Sequence, residues 1–188
     1  DTPAFGLFAA LADGTVLELP VTPTARVQVI HNSPDPTVDV YAGNSLLIDD
    51  FSFRTATAFI DIPANRTFSV GVAPAGSTSV ADAIASFPVN FETGKTYAVF
   101  ASGLVGSAPA FTLLTDEAHE AALDPTKVEF AILHGSPDAP AVDVSVFGAG
   151  PLVNDIAYGE FTPYLAVNPA SYLIQVKLAG TNTLVGTY

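Results

Sequence analysis

Residues 29–41 read VIHNSPDPTVDVY, and residues 132–146 read ILHGSPDAPAVDVSV. His31 falls on His134, Ser33 on Ser136, Pro34 on Pro137 and Asp35 on Asp138 at an offset of 103 residues (134 − 31). One residue later in offset, the VDV at Val38 falls on the VDV at Val142. The match continues outward. LLIDDFSFRTATAFIDIPA from Leu46 aligns with PLVNDIAYGEFTPYLAVNPA from Pro151, and TFSVGV from Thr67 aligns with LIQVKL from Leu173. Self-similarity of this length is an internal duplication, so the chain is built from two related units.

A shorter third echo places TPAFGLFAALADG, at the start of the chain, on APAFTLLTDEAHE from Ala108, an offset of 106 (109 − 3). Residues 1–20 are therefore expected to be the tail strands of a preceding unit or a donor segment. Residues 25–122 form a complete unit, and residues 127–188 form a second unit lacking its last strands. The segment with no counterpart in the second unit is FPVNFETGKTYAVFASGL, Phe87 to Leu104.

Within each unit the segments between turns alternate with period two and favour β-branched and aromatic residues: RVQVIH, VDVYAG, TAFIDI, TFSVGV and TYAVFAS, then VEFAIL, VDVSVF, YLAVN and LIQVKL. That is the pattern of half-buried strands. Gly- and Pro-containing breaks (SPDP, AGNS, PAGS, ETGK, GAGP) recur at the spacing of an all-β sandwich. The expectation is an all-β chain of tandem immunoglobulin-like β-sandwich units. One short helix is expected near 115–122, where TDEAHEAAL offers Thr115 as N-cap, acids in the first turn and Ala-rich propensity.

The IHNSPDPTVDV and LHGSPDAPAVDV stretches, the LLIDDF and PLVNDI strands and the FIDIPA and YLAVNPA strands together resemble the family catalogued as domain of unknown function 4397. The resemblance runs from about Ala25 to the end, with both units matching. It implies a secreted or surface-exposed β-sandwich, commonly in tandem, and brings no catalytic residues with it. The first unit departs slightly, with Thr37 where the second has Pro140 and Ala141.

Composition narrows the function classes. With 49% hydrophobic and 13% charged residues, the chain has material for a core throughout. Six basic against nineteen acidic residues give a net charge of −13, which opposes binding to nucleic acid or an anionic membrane surface. There are no cysteines, which excludes disulfides, thiolate nucleophiles and cysteine zinc sites. No apolar run reaches the ~18 residues of a membrane helix, so no membrane insertion is expected.

The motif itself contains the residue types of a hydrolase. A nucleophilic serine needs a base at its hydroxyl and an orienting acid, and Ser33 with His31 and Asp35 or Asp39 supplies them. Pro34, however, forces a turn, and serine ahead of Pro-Asp is a turn initiator. We therefore expect His31, Ser33 and Asp35, with His134, Ser136 and Asp138, to form a structural turn motif. In it Ser33 and Asp35 bond the turn's backbone and His31 fills a polar gap. Asp35 with Asp39, or Asp138 with Asp143, offers a weak cation site without the spacing of a calcium loop. Asp49-Asp50 reads as a turn. Asn65-Arg66-Thr67 is a glycan sequon at an expected hairpin tip. No catalytic residue, cofactor or resident metal is expected, and the chain is not read as an enzyme.

The start of the chain leads to an assembly expectation. PAFGLFAALADGTVLELP alternates apolar residues around Asp13-Gly14, a hairpin signal. Apart from a unit of its own it would expose Phe5, Leu7, Phe8, Val16 and Leu17. These are the candidate assembly residues. The expected function is a structural subunit of an extracellular filament or surface layer, self-associating into a homopolymer by head-to-tail packing or donor-strand complementation. The alternative is a tandem adhesion or ligand-binding spacer of a cell-surface protein.

Overall fold

The computed structural model describes residues 6–188. Phe5, one of the candidate assembly residues, lies outside them. The chain opens with a hairpin, β1 (Leu7–Ala10) and β2 (Val16–Leu19), which forms a sheet of its own. Its turn is the expected one: Gly14, at φ +87°, donates to the Leu11 carbonyl at 3.0 Å, and the Asp13 carboxylate accepts from the Thr15 N–H at 2.9 Å.

The first unit is a sandwich of two four-stranded sheets. Its strands are β3 (Thr24–His31), β4 (Val38–Ala42), β5 (Ser45–Phe51), β6 (Ile60–Pro63), β7 (Phe68–Pro74), β8 (Ala85–Val89), β9 (Thr96–Ser102) and β10 (Thr112–Glu117). One sheet has the order β10-β9-β3-β6, with β3 and β9 parallel, and the other β5-β4-β7-β8. Alternation in the sequence becomes alternation of faces. Ala25 and Val27 of β3 point into a core with Ile62, Phe91 and Val99, while Val38, Val40, Phe51 and Val72 fill the other half.

The second unit repeats this order with β11 (Val128–Phe130), β12 (Val142–Val146), β13 (Gly150–Ile156), β14 (Leu165–Val167), β15 (Ile174–Leu178) and β16 (Leu184–Thr187). The sheet β13-β12-β15-β16 reproduces β5-β4-β7-β8, whereas β11-β14 reproduces only the β3-β6 half of the other sheet. The expected gap from Phe87 to Leu104 is thus narrower. Among the described residues β8 has its counterpart in β16, and the β9–β10 hairpin has none in the second unit. The sequence concealed this because LVGT and ASFPV share no motif; their common position comes from pairing with β15 and β7.

The consequence is read from equivalent residues. Ala25 is 1% exposed and its counterpart Val128 is 47% exposed. Val27 is buried, whereas Phe130 is only half-buried. In the first unit these positions are covered by Val99 and Tyr97 of β9 and Leu113 of β10. In the second, the core reduces to Val142, Val144 and Ile156 with half-buried neighbours.

The tandem β-sandwich expectation holds, but the short helix near 115–122 does not form. Thr112–Glu117 pairs along its whole length with β9, Thr115 lying opposite Val99 rather than capping a helix. An eight-residue helix is marginal in water, and a six-residue ladder that also buries Leu113 outweighs its Ala-rich propensity. Residues 118–122 then run as an irregular connector, held by Ala118 N–H to the Thr96 carbonyl (2.8 Å) and Thr96 Oγ1 to Glu120 (2.9 Å). Among the described residues the one helical turn is a 3-10 turn at Val80–Asp82, and no helix is long and apolar enough to cross a membrane.

Candidate functional site

The repeated motif leaves the end of β3 in one unit and the equivalent chain after β11 in the other, and the two copies have nearly the same internal geometry. His31 Nδ1 accepts from the Ser33 N–H (3.3 Å) and its Nε2 contacts the Pro36 carbonyl (3.2 Å). His134 does the same with the Ser136 N–H (3.4 Å) and the Pro140 carbonyl (3.0 Å). Both contacts together require a neutral ring with the proton on Nε2. Burial pushes the His31 pKa down, with partial opposition from the Pro36 carbonyl. The imidazole therefore staples the turn.

The serine hydroxyl is directed elsewhere. Ser33, fully buried, donates from Oγ to the Gly103 carbonyl at 2.7 Å, tying the motif to the β9–β10 loop, and approaches the Asp35 carbonyl only at 3.5 Å. The shorter bond thus goes beyond the turn in which the sequence places this serine. Neither imidazole nitrogen faces that hydroxyl, so the proton acceptor a nucleophilic serine needs is not in place. Glycine is needed at position 103 by the close passage of the loop's other arm. Its φ is +84°, and a Cβ there would lie 2.3 Å from the Ala110 carbonyl oxygen. Ser136 is exposed, because the second unit has no loop equivalent to Gly103. Asp35 and Asp138 are exposed acids in the turns, and their side chains take no part in the described hydrogen bonds of the turn backbone.

The buried acid is Asp39. Its Oδ1 accepts from the Asp50 N–H (2.9 Å), and its Oδ2 accepts from the Ser77 N–H (2.8 Å) and Ser77 Oγ (2.7 Å). Desolvation pushes its pKa up, but the hydrogen bonds from Asp50 and Ser77 outweigh it and hold the carboxyl below the ordinary Asp value. Asp143 repeats the arrangement with the Asp155 N–H (2.7 Å) and Gly180 N–H (3.1 Å). Asp49-Asp50 is therefore not a turn between strands. It lies within β5 at a register irregularity against β4, with Asp50 at φ +47° and Asp155 equivalent at +59°.

Asp39, Asp49 and Asp50 lie close enough for a shared cation, and repulsion from Asp50 pushes the Asp49 carboxyl up. Both oxygens of Asp39 are already committed to the backbone and Ser77, and Asn154 replaces Asp49 in the second copy. The cluster is explained as an anchor for the bulge.

The sequon residue Asn65 lies between β6 and β7, which belong to different sheets, and so not at a hairpin tip. Its amide donates to Thr93 Oγ1 (2.8 Å) and accepts from the Thr93 N–H (3.3 Å).

Sequence reasoning missed the joint between units. The outer face of β3, β9 and β10 turns toward the outer face of the β11-β14 sheet. Asn32 Nδ2 donates to the Gly135 carbonyl at 2.7 Å, Ser102 Oγ meets Tyr158 OH at 3.0 Å, and the Phe100 and Phe161 rings lie 5.5 Å apart. His119 in the connector stacks on Tyr164 at 4.0 Å and pairs with Glu129 at 3.0 Å. Asn32 and Gly135 are equivalent positions of the two motif copies, so the duplicated turn touches itself across the joint. A Cβ at residue 135 would lie 2.4 Å from Asn32 Nδ2. The available signal was that, within the His-x-Ser-Pro-Asp run, this is the position where the copies differ. A cleft of about 910 Å³ runs beside these contacts, lined by Phe53, Arg54, Asp116, Asp138, Phe161 and Tyr164 among others.

No curated protein matches the chain. The profile of the family described as a domain of unknown function, DUF4397, matches residues 25–144 and again residues 128–187. With the repeated motif, the shared strand order and both matches in agreement, the chain belongs to the DUF4397 domain family and carries two copies of that domain in tandem.

Proposed function

We propose that the protein is a non-enzymatic structural module of an extracellular filament or surface layer, in which the second sandwich is completed by strands from outside β11–β16. The observation that carries this reading is the open half of the second core: Val128 at 47% exposure where its equivalent Ala25 is at 1%. The unpaired edge of β11 is the edge that β9 covers in the first unit. An open apolar edge of this kind recruits a strand. The contacts of His31, Asn32, Ser33 and Asp39 support a structural role, since each side chain bonds backbone within or between units.

Sedimentation velocity over a concentration series, with negative-stain microscopy of the most concentrated sample, tests the reading. Mass growing with concentration into linear assemblies is the expected result; a monomer throughout the soluble range refutes it. Surface proteolysis of intact cells tests the location.

The cleft between the units favours the second reading, a tandem adhesion or ligand-binding spacer, because its volume lies in the range of small-ligand sites. Nuclear magnetic resonance titration with neutral and acidic oligosaccharides would support it through saturable shifts at Phe161 and Tyr164.

A further inference from the structure

The hairpin β1–β2 is exposed on both faces: Leu7 is 63%, Phe8 56%, Val16 64% and Leu17 53% accessible. A lone two-stranded hairpin is at best marginally stable in water, so this one needs a surface to lie on. Its register defines what that surface must look like. Leu7 pairs with Leu19 and Ala9 with Leu17, which places Leu7, Ala9, Leu17 and Leu19 on one wholly apolar face. Phe8, Ala10, Val16 and Glu18 form the other.

The echo at offset 106 aligns Leu7 with Leu113 and Ala9 with Thr115, both in β10. In the complete unit Leu113 pairs with Ala101 and Thr115 with Val99, and Val99 lies beside Val29 of β3 in parallel. The hairpin matches this arrangement strand for strand. β1 corresponds to β10, and β2, antiparallel to it, corresponds to β9, with Leu17 in the place of Val99 and Leu19 in the place of Ala101. Among the described residues no strand takes these two places in the second unit, and β11 offers the edge that β3 gives to β9.

We propose that the hairpin of one copy of this chain inserts into the second unit of another, giving the sheet order β14-β11-β2-β1. Resting on the assembly reading above, this names the partner as a second copy. Leu17 then lies beside Ile132 and Leu19 beside His134, the equivalents of Val29 and His31. In this register Thr15 lies beside Phe130, so the apolar face extends the inner face of the sheet at Ile132, with Leu17 diagonal to Phe130, and each copy both gives a hairpin and receives one. Such a heterologous contact propagates head to tail.

Because the chain has no cysteine, single-cysteine variants report the register cleanly. Leu17→Cys chains are mixed with Ile132→Cys chains and, separately, with Phe130→Cys chains under mild oxidation. A two-residue displacement puts the Cα atoms beyond the ~7 Å reach of a disulfide. In parallel, the association constant of Leu17→Glu is measured by sedimentation. The site is exposed in the free chain, so this variant folds, and loss of the buried leucine weakens association by more than ~100-fold.

Association that Leu17→Glu abolishes, with cross-linking at 17–132 and not at 17–130, is the expected result. Association that survives Leu17→Glu, or cross-linking in the displaced register, overturns the hairpin placement while leaving the assembly reading standing. A chain that stays monomeric at every concentration overturns both.

Discussion

Replacing Asp39 by alanine tests whether the acid of the VDV motif is an anchor. The substitution removes an acceptor from two backbone N–H groups and one hydroxyl, at 2.7–2.9 Å, around a residue with no exposed surface. Hydrogen bonds to a charged acceptor contribute about 1.5–3 kcal/mol each, and buried donors left unpaired cost a similar amount. Water reaches part of the exposed Asp50 backbone, so the expected loss is about 3–5 kcal/mol, below the simple sum of three bonds. With a urea slope of about 1–3 kcal/mol/M for a unit of this size, the midpoint falls by about 2 M.

Asp39→Asn keeps one acceptor and turns an amide NH2 toward a donor, so it loses about half as much. Asp143→Ala provides an internal control. It gives up only two bonds at a partly exposed site and costs about 1–2 kcal/mol. Urea unfolding followed by far-ultraviolet circular dichroism, with hydrogen exchange assigning each transition to its unit, measures all three. If Asp39→Ala stays within about 0.5 kcal/mol of the parent, or if Asp143→Ala costs more, the anchor reasoning is wrong.

Acid weakens the first unit in a defined window. His31 is held below its ordinary value of 6.5 by burial, so the unfolded chain binds the extra proton. Stability is full above about pH 6.5 and falls below it by up to ~1.4 kcal/mol per pH unit until the folded value is passed. The slope is measured by urea midpoints between pH 7.5 and 5, taken relative to His31→Asn; identical slopes refute it. Gly103→Ala puts a methyl 2.3 Å from the Ala110 carbonyl oxygen in a left-handed backbone, and is expected to cost about 3 kcal/mol or more in thermal unfolding. Gly135→Ala instead displaces only the end of the Asn32 side chain. Each unit should keep its stability within about 0.5 kcal/mol while small-angle scattering shows a wider distribution of inter-unit arrangements; an unchanged distribution refutes the role of that contact.

The duplication, the class of fold and most strand positions were legible because they depend on local pattern. Alternating apolar residues and Gly or Pro breaks act within a few residues, and a copied motif aligns with itself whatever surrounds it. The hairpin at Asp13-Gly14 was readable for the same reason. The turn role of His31 and Ser33 was only partly legible. Pro34 announces the turn, but the Gly103 carbonyl that receives the Ser33 hydroxyl lies 70 residues away in the chain. Asp39, flanked by two core valines, reads from the sequence only as part of a weak cation site, because nothing in VDV shows that β5 and Ser77 will cover it.

By itself the sequence determined that this is a tandem all-β protein with one motif written twice and an apolar hairpin ahead of it. The tertiary structure alone decided that Thr112–Glu117 is a strand and not a helix, that β16 takes the place of β8, and that Asn32 meets Gly135 across the joint. The physical reason is common to all three. A strand has few favourable interactions of its own, and its state is set by the ladder and the core it joins, which are made by residues distant in the chain. The same dependence leaves β11, among the described residues, with an unpaired edge and the hairpin with both faces exposed.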